Sequence, residues 1–266
     1  MPETTPPNLD DAGLDVRTYF VRGRNALIAW AGFGGLFIDY YLHLATSGIQ
    51  VTAEHDTMFK RALVAFTLHV ASRPRNELVA WTINVQEPLV NLFLAGDNGT
   101  GAVTGRIFDE NVRRGPDNLF YSDVVRDDQP ARRSAVTFSG DDPIAGAEAL
   151  YVRSEQRGAR YFQLGEEDFA LVSEHPDCDL EWFRGLTRGQ MQTLDQSETL
   201  VLLEQRVYRW HCGCNQGRML EVLAPVMRQD PESLFGDEPK LEVRCPRCGA
   251  RHAITREALE AFVAED

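Results

Sequence analysis

The chain has 266 residues, 43% hydrophobic and 25% charged, with a net charge of −13. That length accommodates one full-sized core and a small second unit, and the composition is that of an ordinary globular domain. The negative charge argues against nucleic acid or an anionic membrane surface as the primary partner, because phosphate recognition takes a basic surface.

Residues 1–18 carry Pro2, Pro6, Pro7, Asp10, Asp11 and Asp15 and read as a disordered leader. They lack the basic start of a signal peptide. The apolar run Ala26–Ile38 has 13 residues, three of them glycine, and ends at Asp39. It falls short of the roughly 18 apolar residues of a membrane helix and reads as a buried core segment. With no export signal, the expected compartment is the reducing cytoplasm, where paired cysteines are metal ligands or redox groups more often than structural disulfides.

Asp56 to Val70 has helical spacing, with Met58, Ala62, Ala65, Phe66 and Val70 at steps of three and four, Asp56 as N-cap and Pro74 as the stop. Strand-like runs follow at Leu78–Val85, Leu89–Leu94, Ala102–Phe108 and Ser134–Phe138, with a turn at Gly96–Gly99. Asp142–Gln156 reads as a helix, Ala159–Leu164 and Phe169–Val172 as strands, and Asp179–Leu186 and Glu198–Leu203 as helices. This order predicts an α+β fold. The expected layout is an N-terminal mixed sheet-and-helix core domain over 19–178, a helical linker over 179–210 and a small C-terminal domain over 211–266.

The C-terminal part has Met219, Leu220, Leu223 and Met227 on one helix face, a short helix from Asp230-Pro231, a strand at Leu241–Arg244 and a last helix capped by Thr255. At about 55 residues it is too small to be stable on an apolar core alone. Its cysteines answer that. Cys212 and Cys214 form a C-x-C pair, Cys245 and Cys248 a C-x-x-C pair, and residues 215–244 separate them. Four thiolates make a complete tetrahedral set for zinc with no open position, which suits a structural or regulatory site rather than a catalytic one. The same thiols could instead close two short-range disulfides; the compartment favours metal. Residues i and i+2 of an extended segment point the same way, so Cys212 and Cys214 can face one ion. Gly249 permits the positive φ that turns backbone N–H groups toward sulfur. His211 and His252 adjoin the site and are read as supporting or surface residues. Cys178, flanked by Asp177 and Asp179, reads as an unreactive thiol. No serine sits in a nucleophile elbow and Gly96–Gly101 is no phosphate loop, so no catalytic constellation is visible and an enzyme is not expected.

The paired spacing resembles the heat-shock protein 33 family, and the flanks Tyr208-Arg209-Trp210-His211 and Leu241-Glu242-Val243-Arg244 resemble it too. Val21-Arg22-Gly23, Pro88–Leu92, Val103–Arg106 and Tyr151–Gln156 look similar to stretches of that family's core domain. The resemblance, to a divergent member, implies a cytoplasmic redox-regulated chaperone that holds unfolded or misfolded client proteins without ATP. It implies zinc on Cys212, Cys214, Cys245 and Cys248 when reduced. On oxidation it implies the disulfides Cys212–Cys214 and Cys245–Cys248, zinc loss, exposure of client-binding surface and homodimerisation. Two rivals are an interaction protein with a purely structural zinc clip and a thiol–disulfide oxidoreductase using Cys245 and Cys248.

Overall fold

The computed structural model describes residues 13–126, 129–236 and 238–265. They form two units, one of residues up to 41 together with 51–211, the other of residues 42–50 with 212–266. In the first unit lie β1 (Leu14–Arg22), β2 (Ala26–Gly32), the start of α1 (Gly34–Thr46), α2 (Ala53–Ala71), β3 (Glu77–Gln86), β4 (Leu89–Asp97), β5 (Ala102–Phe108), β6 (Asn118–Arg126) and β7 (Arg132–Phe138). They are followed by α3 (Pro143–Arg153), β8 (Ala159–Gln163), β9 (Asp168–Glu174), three short helices α4 (Leu180–Gly185), α5 (Arg188–Gln192) and α6 (Leu194–Ser197), and β10 (Thr199–Trp210). The second unit contains α7 (Gln216–Gln229), α8 (Pro231–Phe235), β11 (Lys240–Arg244), β12 (Arg251–Thr255) and α9 (Arg256–Glu265). This is the α+β architecture expected. No helix among the described residues is long and apolar enough to cross a membrane.

The strands of the first unit make one ten-stranded sheet in the order β7-β6-β3-β4-β5-β10-β1-β2-β9-β8. Helix α2 is buried along most of its length and fills the core against it. Trp81 on β3 is fully buried and meets the rings of Phe66 at 5.1 Å and Phe120 at 4.7 Å, both edge-on, the arrangement favoured by the ring quadrupole. The α2 cap is Thr52, whose side chain accepts the His55 N–H, rather than Asp56. Asp56 lies inside the first turn and accepts the Tyr41 hydroxyl instead.

Three expectations need correction. The leader expected over 1–18 gives way to strand at Leu14, where Leu14 and Val16 are buried and β1 pairs with two neighbours; residues 1–12 lie outside the described residues. The run Ala26–Ile38 is not one segment: it is strand to Gly32 and helix from Gly34.

The linker over 179–210 is helical only to Ser197, and Glu198–Leu203 is not a helix. The apolar cluster Leu200–Leu203 obscures a two-residue alternation in which Glu204, Arg206, Tyr208 and Trp210 share the less exposed face. β10 runs antiparallel to the whole of β1, with a register shift at Thr18/Tyr19, and parallel to β5 at Arg209↔Ala102 and Trp210↔Val103. It is a sheet-joining strand, with the five strands β7 to β5 on one side and the four strands β1 to β8 on the other.

Among the described residues, the second unit's apolar cluster is built on Met219, Met227, Phe235, Ile254 and Leu259. Val243, Leu241, Leu220 and Leu223 pack around them half-buried. Thr255 caps α9 by accepting the Ala258 N–H.

Candidate metal centre

β10 ends at Trp210, and the chain continues through Cys212, Gly213 and Cys214 to Asn215, whose side chain caps α7 by accepting the Arg218 N–H. Gly213 takes φ +69°, a left-handed conformation open to glycine without steric cost. The second pair lies in the turn of the β11–β12 hairpin. There the Cys245 N–H donates to the Ala250 carbonyl at 2.8 Å and the Gly249 N–H to the Cys245 carbonyl at 2.9 Å. Gly249 has φ +79°, the positive value its place in the sequence suggested.

These two turns bring the four sulfurs together. All lie within 4.8 Å of one another. Cys212 Sγ is 3.7 Å from Cys245 Sγ, and Cys214 Sγ is 3.5 Å from Cys248 Sγ. A tetrahedral ion with bonds of about 2.3 Å to sulfur sets its sulfurs about 3.8 Å apart, so the cluster has the dimensions of a four-thiolate site. None of the four is in a disulfide, and Cys245 and Cys248 are each only 2% exposed.

Electrostatics point the same way. Hydrogen bonding from the Cys248 thiol and the Cys214 backbone N–H outweighs burial and brings the Cys212 thiol down to about 4. Burial raises Cys214 to about 12, with the neighbouring sulfurs adding to the shift, and the bond to Cys212 together with burial raises Cys248. A divalent cation removes the repulsion and lets all four ionise.

Of the histidines flagged in the sequence, His211 is exposed. His252, on β12, places Nε2 3.4 Å from Cys214 Sγ. His43, near the end of α1 and within the same unit, gave no sequence signal; its Nε2 lies 2.9 Å from the Cys248 carbonyl oxygen and donates to it. Only the folded chain brings a residue 205 positions away to this turn. Cys178 belongs to the first unit, where burial raises its thiol above the ordinary range and the neighbouring carboxylates Glu174 and Asp179 add to the shift.

Comparison with known proteins agrees with this construction. The family model described as Hsp33 protein matches residues 175–255, which span β10 and all four cysteines. The 33 kDa chaperonin of Nitrosococcus oceani is 24% identical over 151 residues, covering 49% of this chain and 52% of that protein. The 33 kDa chaperonin of Bacillus cytotoxicus is 23% identical over 154 residues, covering 56% of this chain and 51% of that protein. The chain thus matches about half the length of these curated relatives. The crystal structure of the 33 kDa chaperonin (heat shock protein 33 homolog) from Thermotoga maritima superposes with a TM-score of 0.72 at 13% identity, over 96% of this chain and 100% of that one, and so shares the fold. Taken with the cysteine geometry, these matches make the chain similar to the Hsp33 family over residues 175–255 and alike in fold to a solved 33 kDa chaperonin.

Proposed function

We propose that this protein is a cytoplasmic, ATP-independent chaperone for unfolded or misfolded clients, with zinc on Cys212, Cys214, Cys245 and Cys248 as its redox-sensitive lock. The observation that carries the reading is the four-sulfur cluster in a unit with a small apolar core. Structural zinc supplies about 10–16 kcal/mol of folding free energy in small peptides, so here the metal would hold the unit's fold. Zinc-bound thiolates are already deprotonated and are oxidised once an oxidant reaches them. Disulfides Cys212–Cys214 and Cys245–Cys248, zinc release, exposure of apolar surface and dimerisation complete the proposed switch. The acidic charge would keep client complexes soluble.

One observation favours the structural-clip rival. β10, which leads directly into Cys212, is paired with β1 over its length, so metal loss alone need not free it. The test measures zinc release and suppression of aggregation of a heat-denatured client side by side, before and after peroxide with mild heat. About one zinc per reduced chain, lost together with a gain in suppression, is the expected result. Zinc release without suppression leaves the clip; zinc retained through peroxide rejects the switch.

A further inference from the structure

The four thiolates of such a cluster together carry more negative charge than one divalent cation offsets, and N–H donors to sulfur take up part of the excess. Two of the donors are backbone. The Cys214 N–H serves Cys212, and the Ala250 N–H serves Cys248. Cys214 differs: the nitrogen that reaches its sulfur belongs to a side chain, His252.

His252 is held for this. It pairs with Val243 across the β11–β12 hairpin, two residues before Cys245, and shares the inner face of β12 with Ile254, which is fully buried in the small core. The strand register therefore fixes the ring's starting point, and half-burial limits its competition with water. A metal-bound thiolate has no proton to give, so the bond runs from Nε2–H to sulfur.

We propose that His252 is a positioning residue of the metal centre, whose Nε2–H to the Cys214 thiolate sets how tightly the Cys212/Cys214 side holds the ion and how fast an oxidant opens it. This rests on the zinc reading above. Drawing charge off Cys214 weakens its attack on hydrogen peroxide. In that attack sulfur takes one oxygen to become a sulfenic acid, the O–O bond breaks, and hydroxide leaves with the electron pair. A sulfenic acid is a poor metal ligand, so the first such event removes one of four bonds.

The test compares the full-length wild type with His252→Ala, His252→Gln, whose amide N–H can replace the donor, and Arg251→Ala, an exposed neighbour on the same strand. Zinc transfer to a competing chelator dye is followed with and without peroxide, and the cobalt-substituted proteins are compared by their sulfur-to-cobalt charge-transfer bands. Outer-sphere substitutions typically weaken metal binding by about 10–100-fold. His252→Ala is therefore expected to bind zinc about tenfold more weakly or worse, to release it several-fold faster in peroxide and to shift the charge-transfer band. His252→Gln should recover most of the loss, and Arg251→Ala should match wild type. Wild-type affinity, release rate and band position in His252→Ala would overturn the proposal while leaving the zinc reading intact. Absence of zinc from the wild type would instead reject the zinc reading itself. If His252→Ala does not fold with metal, the Gln variant alone decides, since a side chain that only fills space would give it none of the histidine's metal-holding effect.

Discussion

The Tyr208 hydroxyl donates to Asn98 Oδ1 at 2.5 Å, and both side chains are buried. Asn98 in turn directs its amide to the carbonyls of Val70, Arg73 and Pro74 at 2.8, 3.0 and 2.8 Å, at the C-terminal end of α2 and in the turn just past it. One asparagine thereby ties the end of the central helix to the strand that enters the metal unit four residues later. Tyr208→Phe leaves Asn98 Oδ1 without its donor in a buried place. The expected cost is about 1–3 kcal/mol, read as a lower urea midpoint with an unchanged slope.

Cys248→Ser should unfold the second unit and spare the first. On the zinc reading the small core depends on the metal, whereas the first unit has its own core around α2 and β3. Calorimetry of the variant should show one surviving cooperative transition close to that of the wild type's larger unit. Loss of every cooperative transition would contradict the independence of the two.

Acid should destabilise the first unit in two steps. His69 is fully buried and receives Tyr151 at Nδ1, while its Nε2 has no partner. Burial first, and then the charges of Arg73 and Arg157, hold its pKa well below 6.5. A neutral buried histidine contributes full stability above the unfolded value of about 6.5, and that stability falls as the unfolded chain takes up the proton below it. Glu77 works lower. Burial opposes its charge, but Arg73 and Arg126, each at 2.6 Å, outweigh burial and depress its pKa below 4.5, so its contribution is lost as pH falls from that value. Urea titrations at stepped pH should show stability falling from about pH 6.5. In His69→Gln the upper step should vanish and the lower one remain.

Gly101 sits at φ +73°, and a Cβ there would clash with the Val207 carbonyl oxygen of β10. Gly140 has φ +79° with nothing within 4 Å of its Cβ position. Gly140→Ala should cost about 1–2 kcal/mol from backbone handedness alone. Gly101→Ala carries that cost and also forces β5 and β10 apart. The difference in unfolding free energy between the two measures how firmly the parallel join is made.

What could be read in the sequence followed the range of the interactions involved. α2, α3 and the strands from β3 to β5 were legible because apolar residues recur at helical steps in the helices and in apolar runs in the strands, with β3 alternating in burial along its length. The cysteine cluster was legible because its ligands come as two local pairs. β1 and β2 were missed because a charged leader runs into the first and glycines follow the second. β10 was misread because its apolar end, Leu200–Leu203, fits a helix as well as a strand, and only pairing with β1 decides between them. His43 was invisible, since its partner is a carbonyl oxygen, which any residue offers.

The position of β10 in the strand order has a geometric consequence. Remove that one strand and the continuous sheet becomes two, of five and four strands, with no hydrogen-bonded link between them. β1 would be left with a row of unanswered N–H and C=O groups along its length, and β5 with those at its first two residues. Such rims are templates for any extended chain that brings its own unpaired backbone, whatever its side chains. A slot read through the main chain alone discriminates poorly among sequences, which is what the proposed holding of unfolded clients would require.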